Sequence, residues 1–427
     1  MSRQELVDYV SSHRKHLFAL IQELVRRPSE NTPPTGAEAA CQRFIASRLA
    51  AAGYDPDLYE LTDVAGLMDH PLFVPGRDYA ARPNVAARRR GAGGGRSLIL
   101  SGHIDTVPHG TQPWTRNPFS GHIDGNRLYG RGSNDMKAGD AIGLFVMEAL
   151  ADLKIRLAGD LAFETVVDEE FGGVNGTIAG RVRVYRADAA VITEPSFLRI
   201  CAAQRGGRVA HITFSAPGGI LTEGAFPAGV IDQVRHFLNA VPDFAGQRRR
   251  NCRPHPVYSG AADPVPVSVT KIVTAPWGTH EPITTPEQCN VELYWQLMPG
   301  EKQADVDREF FGWFDAMLAS APDLFPQKPE VEFPIRWLPG STIDVSEPLV
   351  RELGDCAELV TKERPPVVGI EGPCDMFVFH DFGIPAVLWG PRGGNTHAAD
   401  EYVELDSVVA AAQALLLFVC EWCGVVE

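Results

Sequence analysis

The sequence predicts an α/β fold in which helices cover a mostly parallel sheet and a smaller α+β domain is inserted. Short apolar runs closed by Gly, Pro or polar residues favour strands buried on both faces, and they occur at residues 98–100, 161–167, 189–193 and 386–389. Between the third and fourth runs, the predicted strands and helices follow one another in the order of a compact α+β domain. At 427 residues the chain is long enough for two domains.

Apolar residues recurring at helical spacing predict a first helix over residues 4–26 and a second over 37–52, which ends before Gly53. Another helix is predicted over 140–150. In the middle segment the pattern predicts strands at 209–214, near 265–274 and at 289–297, with helices at 230–238 and 304–318. These elements divide the chain into a main domain formed by residues 1–205 and 326–427 and an inserted domain formed by residues 206–325.

The composition excludes several classes of function. Lys and Arg number 39 against 54 Asp and Glu, a net charge of −15, so the chain has no general attraction for nucleic acid or anionic membranes. The N-terminus has no apolar signal core, and the apolar stretch near 410–420 is interrupted by Gln413 and too short to span a bilayer. We expect a soluble, cytoplasmic protein with reduced cysteines that acts on a small molecule.

Polar residues that can bind a metal follow the predicted buried strands. In SGHIDTVP at 101–108, His103 and Asp105 share one face of an extended chain, and a carboxylate beside a histidine commonly orients it as a ligand. The same GHID pattern recurs at 121–124 before Gly-Asn with no buried run ahead of it, so we assign His122 and Asp124 to a turn. The His-x-Asp pattern alone is therefore weak evidence.

Four further motifs strengthen the metal-site interpretation. YGRGSNDMKAG at 129–139 offers Asp135, ITEPS at 192–196 offers Glu194, and GGNTHAADEYV at 393–403 offers His397. VVDEEFGG at 166–173 ends a strand with three successive acids, which repel one another unless cations absorb their charge. Two histidines and several carboxylates at strand ends are the ligand mixture of a zinc, manganese or cobalt site.

Along the chain these five motifs occur in the order of a known family. Residues 84 to 402 resemble the co-catalytic metallopeptidases that include acetylornithine deacetylase, succinyl-diaminopimelate desuccinylase, aminoacylase and carboxypeptidase G. The resemblance implies one or two divalent ions held by His103, Asp135, Glu170, Glu194 and His397. It also implies that Asp135 bridges two metals, that its peptide bond to Met136 is cis in many members, and that residues 206–325 form a lid and dimerisation domain. We therefore expect a homodimer, with higher oligomers left open.

The resemblance also assigns catalytic roles. Asp105 would orient His103, and Glu169 would be the general base. Two cations sharing Asp135 would lower the pKa of a bridging water and polarise the bond under attack. One of the paired acids, Glu169 or Glu170, has to remain free to collect the proton of that water, but the residues alone do not decide which.

The predicted lid departs from the family pattern. Members usually carry a lid histidine where Ile220 stands, an asparagine where Ile283 stands, and an arginine where Gln296 stands. Either this variable region is misaligned, in which case His211, His280 or Arg336 could take over a role, or the pocket is more apolar than usual. The candidate substrate-binding residues are Arg205, Ile220, His280, Ile283 and Gln296.

Three functions follow as alternatives. The first is hydrolysis of an amide, in an N-acyl amino acid or dipeptide, by a metal-bound water with Glu169 as base. The second is an aminohydrolase that removes ammonia from an aromatic amine carrying a carboxylate, because an apolar lid suits an aromatic ring. The third is a non-catalytic relative, which ranks last because all five ligand positions and Glu169 are filled.

Overall fold

A computed structural model describes residues 1–172, 174–183, 185–220, 229–274 and 284–426, with residues 219 and 220 described by their backbone alone. The chain divides into two compact units. The first unit comprises Met1–Ala203, Thr342–Ile370 and Cys374–Glu427, and the second comprises Gln204–Ser341 and Glu371–Pro373. The second unit extends beyond the predicted boundary at residue 325 because the strand Glu330–Glu332 pairs with residues 211–213 of that unit.

The first unit is built around a sheet of nine described strands. Its four central strands pair in parallel, in the order Ala386–Leu388, Ala189–Ile192, Leu98–His103 and Leu161–Val166. Antiparallel strands flank this centre, with Asn84–Arg89 and Asp57–Tyr59 on one side and Ile200–Gln204 on the other, where Val367–Ile370 and Ser341–Thr342 also pair.

The prediction of a mostly parallel sheet is therefore correct for the centre and wrong for the edges, and the sheet is mixed. Burial on both faces suggested the parallel arrangement, but burial does not fix the direction of a strand. Ile200–Gln204, for example, is buried along its whole length and is antiparallel to its neighbour.

The described helices of the first unit are Arg3–Ser12, Arg14–Val25, Ala39–Ala51, Ala138–Asp152, Asn175–Val182, Pro348–Thr361, Met376–Asp381 and Leu405–Cys423. The helix predicted over 4–26 is two helices that meet at His13, whose φ of −99° and ψ of 10° are not helical. Leu405–Cys423, at 19 residues and a mean hydropathy of 1.6, is long and apolar enough to span a membrane. It is a core helix, because 72 % of its most apolar window is buried and it packs against Pro348–Thr361 and Arg3–Ser12.

A small antiparallel sheet in the first unit joins two loops that matter for the site. Its strands, in order, are Gly393–Gly394, Tyr402–Glu404, Arg127–Tyr129 and His122–Asp124. The loop after Arg127–Tyr129 carries Asp135, and the loop between the first two strands carries His397. The assignment of His122 and Asp124 to a turn is wrong, because they form a strand of a hairpin whose turn is at 125–126.

The second unit has its own sheet and core. The antiparallel sheet runs in the order Val267–Val273, Gln288–Leu297, Gly206–Ser215 and Glu330–Glu332, and a separate short pair joins Gly219–Ile220 to Thr284–Thr285. The helices Val230–Asn251 and Gln303–Ala319 contribute aromatic side chains to a core in which the Trp295 and Phe310 rings stack 5.1 Å apart. The first helix continues past its predicted end at 238 and through Pro242, with Phe237 and Phe244 both buried in this core.

Candidate active site

Three parallel strands of the central sheet end at the candidate site. His103 is the last residue of Leu98–His103, Glu169 and Glu170 follow Leu161–Val166, and Glu194 follows Ala189–Ile192. Because parallel strands present their carboxyl ends at one edge, residues distant in sequence meet there. Strand direction thus accounts for the position of four of the predicted site residues.

Asp135 and His397 come from the two loops that the small sheet joins. Asp135 lies in the irregular turn Ser133–Lys137, directly before the helix Ala138–Asp152. Its peptide bond to Met136 is cis, as in many of the enzymes that the sequence resembles. His397 has a φ of 62°, which turns the loop so that its ring meets Asp135.

The proposed ligands converge in two groups that share Asp135. Asp135 Oδ1 lies 3.1 Å from His103 Nε2, and Asp135 Oδ2 lies 3.4 Å from His397 Nε2. Glu194 Oε1 is 3.4 Å from His103 Nε2, whereas Glu170 Oε2 is 2.9 Å from His397 Nε2. One carboxylate therefore faces two histidines, and each histidine faces a glutamate of its own.

The electrostatics of this cluster fit divalent cations. Burial, with the nearby Asp135 charge, raises the pKa of Glu170 and of Glu194 to about 7. Burial alone would lower the pKa of His397, but hydrogen bonds with Asp135 and Glu170 raise it to about 11. The protonated histidines supply the positive charge that balances these carboxylates, and divalent metal ions would supply it in place of the histidine protons. A set of nitrogen and oxygen donors without thiolate suits zinc, manganese or cobalt.

Asp105 fixes both His103 and the acidic pair. Its backbone carbonyl oxygen lies 2.9 Å from His103 Nδ1, whereas its carboxylate is 3.6 Å from the same atom, so the closer contact is to the carbonyl oxygen. The carboxylate instead accepts hydrogen bonds from the backbone N–H groups of Glu169 and Glu170, each at 3.1 Å, and from Asn31 at 2.9 Å. Asp105 thus ties the end of one strand to the end of the next.

The first of the three successive acids, Asp168, does not need a cation. It accepts hydrogen bonds from the Tyr79 hydroxyl at 2.6 Å and from Asn31 at 3.2 Å, and Arg77 lies 3.7 Å away. The interpretation that cations absorb the charge of all three acids is therefore wrong for Asp168. Of these three acids, only Glu169 and Glu170 face the candidate site.

Glu401 holds the Asp135 loop in place. Its buried carboxylate accepts hydrogen bonds from the backbone N–H groups of Gly132 at 2.9 Å, Asn134 at 2.9 Å and Asp135 at 3.0 Å. The Arg131 guanidinium lies 2.6 Å from it and neutralises its charge. The Asp135 loop therefore depends on a carboxylate from the loop that carries His397.

Sequence reasoning assigned no role to Glu401 or Asn31. Glu401 lies within GGNTHAADEYV, four residues after His397, so an additional acid near a candidate ligand was the available signal. Asn31 had no local signal, because its partner Asp105 is 74 residues away.

Two of the predicted substrate-binding residues, Arg205 and Gln296, lie together in the second unit. Arg205 Nη1 donates a hydrogen bond to Gln296 Oε1 at 2.7 Å, and Gln296 Nε2 donates to the carbonyl oxygen of Glu371. The Arg205 guanidinium also lies over the Tyr258 ring, 4.7 Å from its centre. Gln296 is thus a neutral amide, hydrogen-bonded at both its oxygen and its nitrogen, where the resemblance places an arginine.

The remaining predicted substrate-binding residues are Ile220, His280 and Ile283. The backbone of Ile220 pairs with Thr284, and its side chain is outside what the structure describes. His280 and Ile283 also lie outside the described residues. Their roles stay predictions.

The family model for the M20/M25/M40 peptidases matches residues 99–421 of this chain. The chain belongs to the M20/M25/M40 peptidase family. The resemblance stated from the five motifs is thereby confirmed, and the protein is a hydrolase of this family. Donor atoms of His103, Asp135 and Glu170 lie within 4.8 Å of one another and could hold a metal ion, which accords with that membership.

Individual M20 relatives match along nearly the whole chain. It is 26 % identical to an N-formyl-4-amino-5-aminomethyl-2-methylpyrimidine deformylase of Halalkalibacterium halodurans, over 98 % of this chain and 97 % of the deformylase. It is 27 % identical to a succinyl-diaminopimelate desuccinylase of Leptothrix cholodnii, over 91 % of this chain and 94 % of that enzyme.

Solved structures show the same M20 fold. Human carnosine dipeptidase 1 superposes with a TM-score of 0.76 at 14 % identity, over 99 % of this chain and 100 % of the dipeptidase. The di-peptidase Dug1p of Saccharomyces cerevisiae gives a TM-score of 0.78 at 14 % identity, over 99 % of this chain and 98 % of that one. At this identity the likeness concerns the fold alone.

The contacts of Glu401 generate a prediction about metal affinity. In the variant Glu401→Gln, one acceptor oxygen becomes an NH₂ donor facing the N–H groups and Arg131, so the Asp135 loop loses its anchor. We expect affinity for Zn²⁺ or Co²⁺ to fall by ~10–100-fold, as for other groups that support metal ligands. Competition with a chromophoric chelator measures this.

The matched control is Glu404→Gln in the same small sheet, whose carboxylate pairs with Arg392 at 3.1 Å. It should bind metal as the unmodified protein does. Equal affinities for the Glu401 and Glu404 variants would contradict the role given to Glu401.

Proposed function

We propose that this protein is a metal-dependent amidase that removes a small acyl group from an amine nitrogen. One or two divalent cations, zinc, manganese or cobalt, would be held by His103, Asp135, Glu170, Glu194 and His397. Bound there, they would lower the pKa of a water molecule and polarise the carbonyl group under attack.

The observation that carries the proposal is the position of Glu169. Its Oε2 lies 3.9 Å from His103 Nε2, farther than the atoms of Asp135 and Glu194, and Asp105 anchors its backbone. A carboxylate held beside the ligands without being the nearest of them can accept a proton from water and deliver it to the departing nitrogen. Glu170, whose carboxylate meets His397, is better placed as a ligand.

The names of the relatives favour amide cleavage. A deformylase and a desuccinylase, by those names, each take an acyl group from a nitrogen, and both match more than nine-tenths of this chain. Nothing comparable supports the release of ammonia from an aromatic amine, so we do not retain the aminohydrolase.

The substrate class that we propose is a small N-acyl amine with an aromatic ring on the amine side. The deformylase relative is named for an N-formyl aminomethylpyrimidine. Gln296, bound to Arg205 and to a carbonyl oxygen, offers no positive charge of its own for a substrate carboxylate. Isoleucines at 220 and 283 are apolar, and apolar side chains favour contact with an aromatic ring.

The role of Glu169 is tested by Glu169→Gln, which keeps the size of the side chain and removes the base. We expect kcat to fall by ~10²–10⁴-fold, the usual contribution of general base catalysis. Metal content, measured by atomic emission, should stay unchanged, whereas Glu170→Gln should lose metal together with activity. If the two variants behave in the opposite way, their roles have to be exchanged.

The substrate class is tested with the metal-loaded protein and three amides. We expect kcat/KM for the N-formyl aminomethylpyrimidine to exceed that for N-acetylornithine and N-succinyl-diaminopimelate by at least ~10-fold, since a mismatched or missing pocket contact costs about that much. Mass spectrometry of the released amines measures all three. Faster turnover of either aliphatic substrate would contradict the aromatic preference.

We also propose that the unit containing residues 206–325 forms a homodimer. Its edge strand Val267–Val273 pairs on one side with Gln288–Leu297, and Ile272 and Val273 are 50 % and 55 % exposed. Exposed edge strands tend to pair with a second copy unless they are protected. Sedimentation should give twice the mass of the chain, and Ile272→Lys should shift the equilibrium towards monomer. A single-chain mass for the unmodified protein at micromolar concentration would contradict the dimer.

A further inference from the structure

Asp375 is a buried carboxylate beside the site to which neither the motifs nor the mechanism assigns a role. It directly precedes the helix Met376–Asp381 and is 5 % exposed. Its Oδ2 accepts a hydrogen bond from the Thr177 hydroxyl. Its Oδ1 is buried and has no hydrogen-bond partner in the part of the chain that the structure describes.

Asp375 and Thr177 line one small cavity together with His103, Glu169 and Glu194. The cavity measures about 10 Å³, which is room for one water-sized group. A group that enters it therefore meets the proposed general base, two proposed metal ligands and Asp375 at once.

A buried carboxylate oxygen without a donor is costly, and such oxygens in folded proteins call for an explanation. An ionised carboxylate only accepts hydrogen bonds, so Asp375 requires an N–H or O–H group. Glu169 and Glu194, the acids that share the cavity, are acceptors as well when ionised. No described residue donates a hydrogen bond to Asp375 Oδ1, so a molecule that enters the cavity can supply the donor for the ionised carboxylate.

We propose that Asp375 Oδ1 accepts a hydrogen bond from the N–H group of the scissile amide, and afterwards from the amine that is released. This inference rests on the proposed amidase function. The leaving nitrogen must come within reach of Glu169 to receive its proton, and Asp375 lines the same cavity.

The proton balance leaves Asp375 unchanged. Glu169 takes one proton from the attacking water, a C–O bond forms, and the C–N bond breaks as Glu169 returns that proton to the nitrogen. Asp375 neither gains nor loses a proton, and it orients the nitrogen throughout. The preferred substrates are therefore amides that carry an N–H group, in contrast to esters and tertiary amides, which carry none.

The test compares an amide with the ester of the same acyl group and the matching alcohol, because the ester has no N–H group. In Asp375→Asn we expect kcat/KM for the amide to fall by ~10–100-fold, the effect of losing a hydrogen bond to a charged acceptor. For the ester we expect a change of less than ~3-fold, since that substrate never makes the bond.

Asp140→Asn is the matched control. Asp140 is fully buried, both of its carboxylate oxygens lack hydrogen-bond partners among the described residues, and it does not line the cavity. The same chemical change there should affect the amide and the ester equally. An amide-specific loss in Asp140→Asn would mean that the effect is not specific to the cavity and would overturn the assignment.

A second measurement does not depend on turnover. Calorimetry of the metal-loaded protein with benzylamine should show binding that is ~10-fold weaker in Asp375→Asn than in the unmodified protein. If the unmodified protein cleaves no amide, the proposed function fails, but the difference in amine binding still decides whether Asp375 recognises nitrogen. Equal amine affinities would overturn the inference.

Measuring the metal content of Asp375→Asn shows whether Asp375 is a metal ligand, and a second variant serves if Asp375→Asn does not fold. Loss of metal in Asp375→Asn would make Asp375 a ligand and overturn the inference, as would equal losses on amide and ester. If that variant does not fold, Thr177→Val removes the hydroxyl that holds Oδ2 and leaves the carboxylate in place. We then expect a smaller loss, again confined to the amide, and equal losses on both substrates would overturn the inference.

Discussion

Buried carboxylates crowd the carboxyl end of the central sheet, and each of them needs either a hydrogen-bond donor or a positive charge nearby. For six of these acids the structure meets this requirement in two ways. Protein groups satisfy one set of acids, which consists of Asp105, Asp168 and Glu401. A second set faces histidines and other acids, and it consists of Asp135, Glu170 and Glu194. The second set takes its positive charge from the protonated histidines that face it, and in our proposal divalent cations would supply that charge instead.

The donors that satisfy the first set come from distant parts of the chain. Asn31 reaches Asp105 across 74 residues, and Arg131 reaches Glu401 across 270. These acids in turn hold the backbone around the proposed ligands. The Asp105 carboxylate accepts a hydrogen bond from the backbone N–H of Glu169, and the Glu401 carboxylate accepts one from the backbone N–H of Asp135. The geometry of the site therefore depends on pairing the acids that are not themselves proposed ligands.

The difference between residues at strand ends and residues paired across the chain explains which parts of the site could be predicted from the sequence. The strand ends carry His103 and Glu194 as local signals, so residue type and a preceding apolar run were enough to place them at one edge of a sheet. The signals for Asn31 and Asp375 are spatial, since their significance depends on neighbours that no local pattern reveals. Likewise, the local rule that proline ends a helix was overridden at Pro242, where the helix continues across a packed aromatic face.

The other acids at the candidate site include both the proposed metal ligands and Asp375, whose Oδ1 is an unpaired acceptor among the described residues. These two kinds of group correspond to the two polar groups of an amide. An amide presents a carbonyl oxygen, which is stabilised by positive charge, and an N–H group, which is stabilised by an acceptor. In our proposal, cations held around Asp135 would stabilise the oxygen, and Glu169 and Asp375, which line one cavity together with His103 and Glu194, would meet the nitrogen. An ester shares the first feature and lacks the second. With Glu169 as the proposed base, the unpaired acceptor Asp375 in the same cavity would make the site complementary to an amide that carries an N–H group, in a way that the metal ligands alone would not.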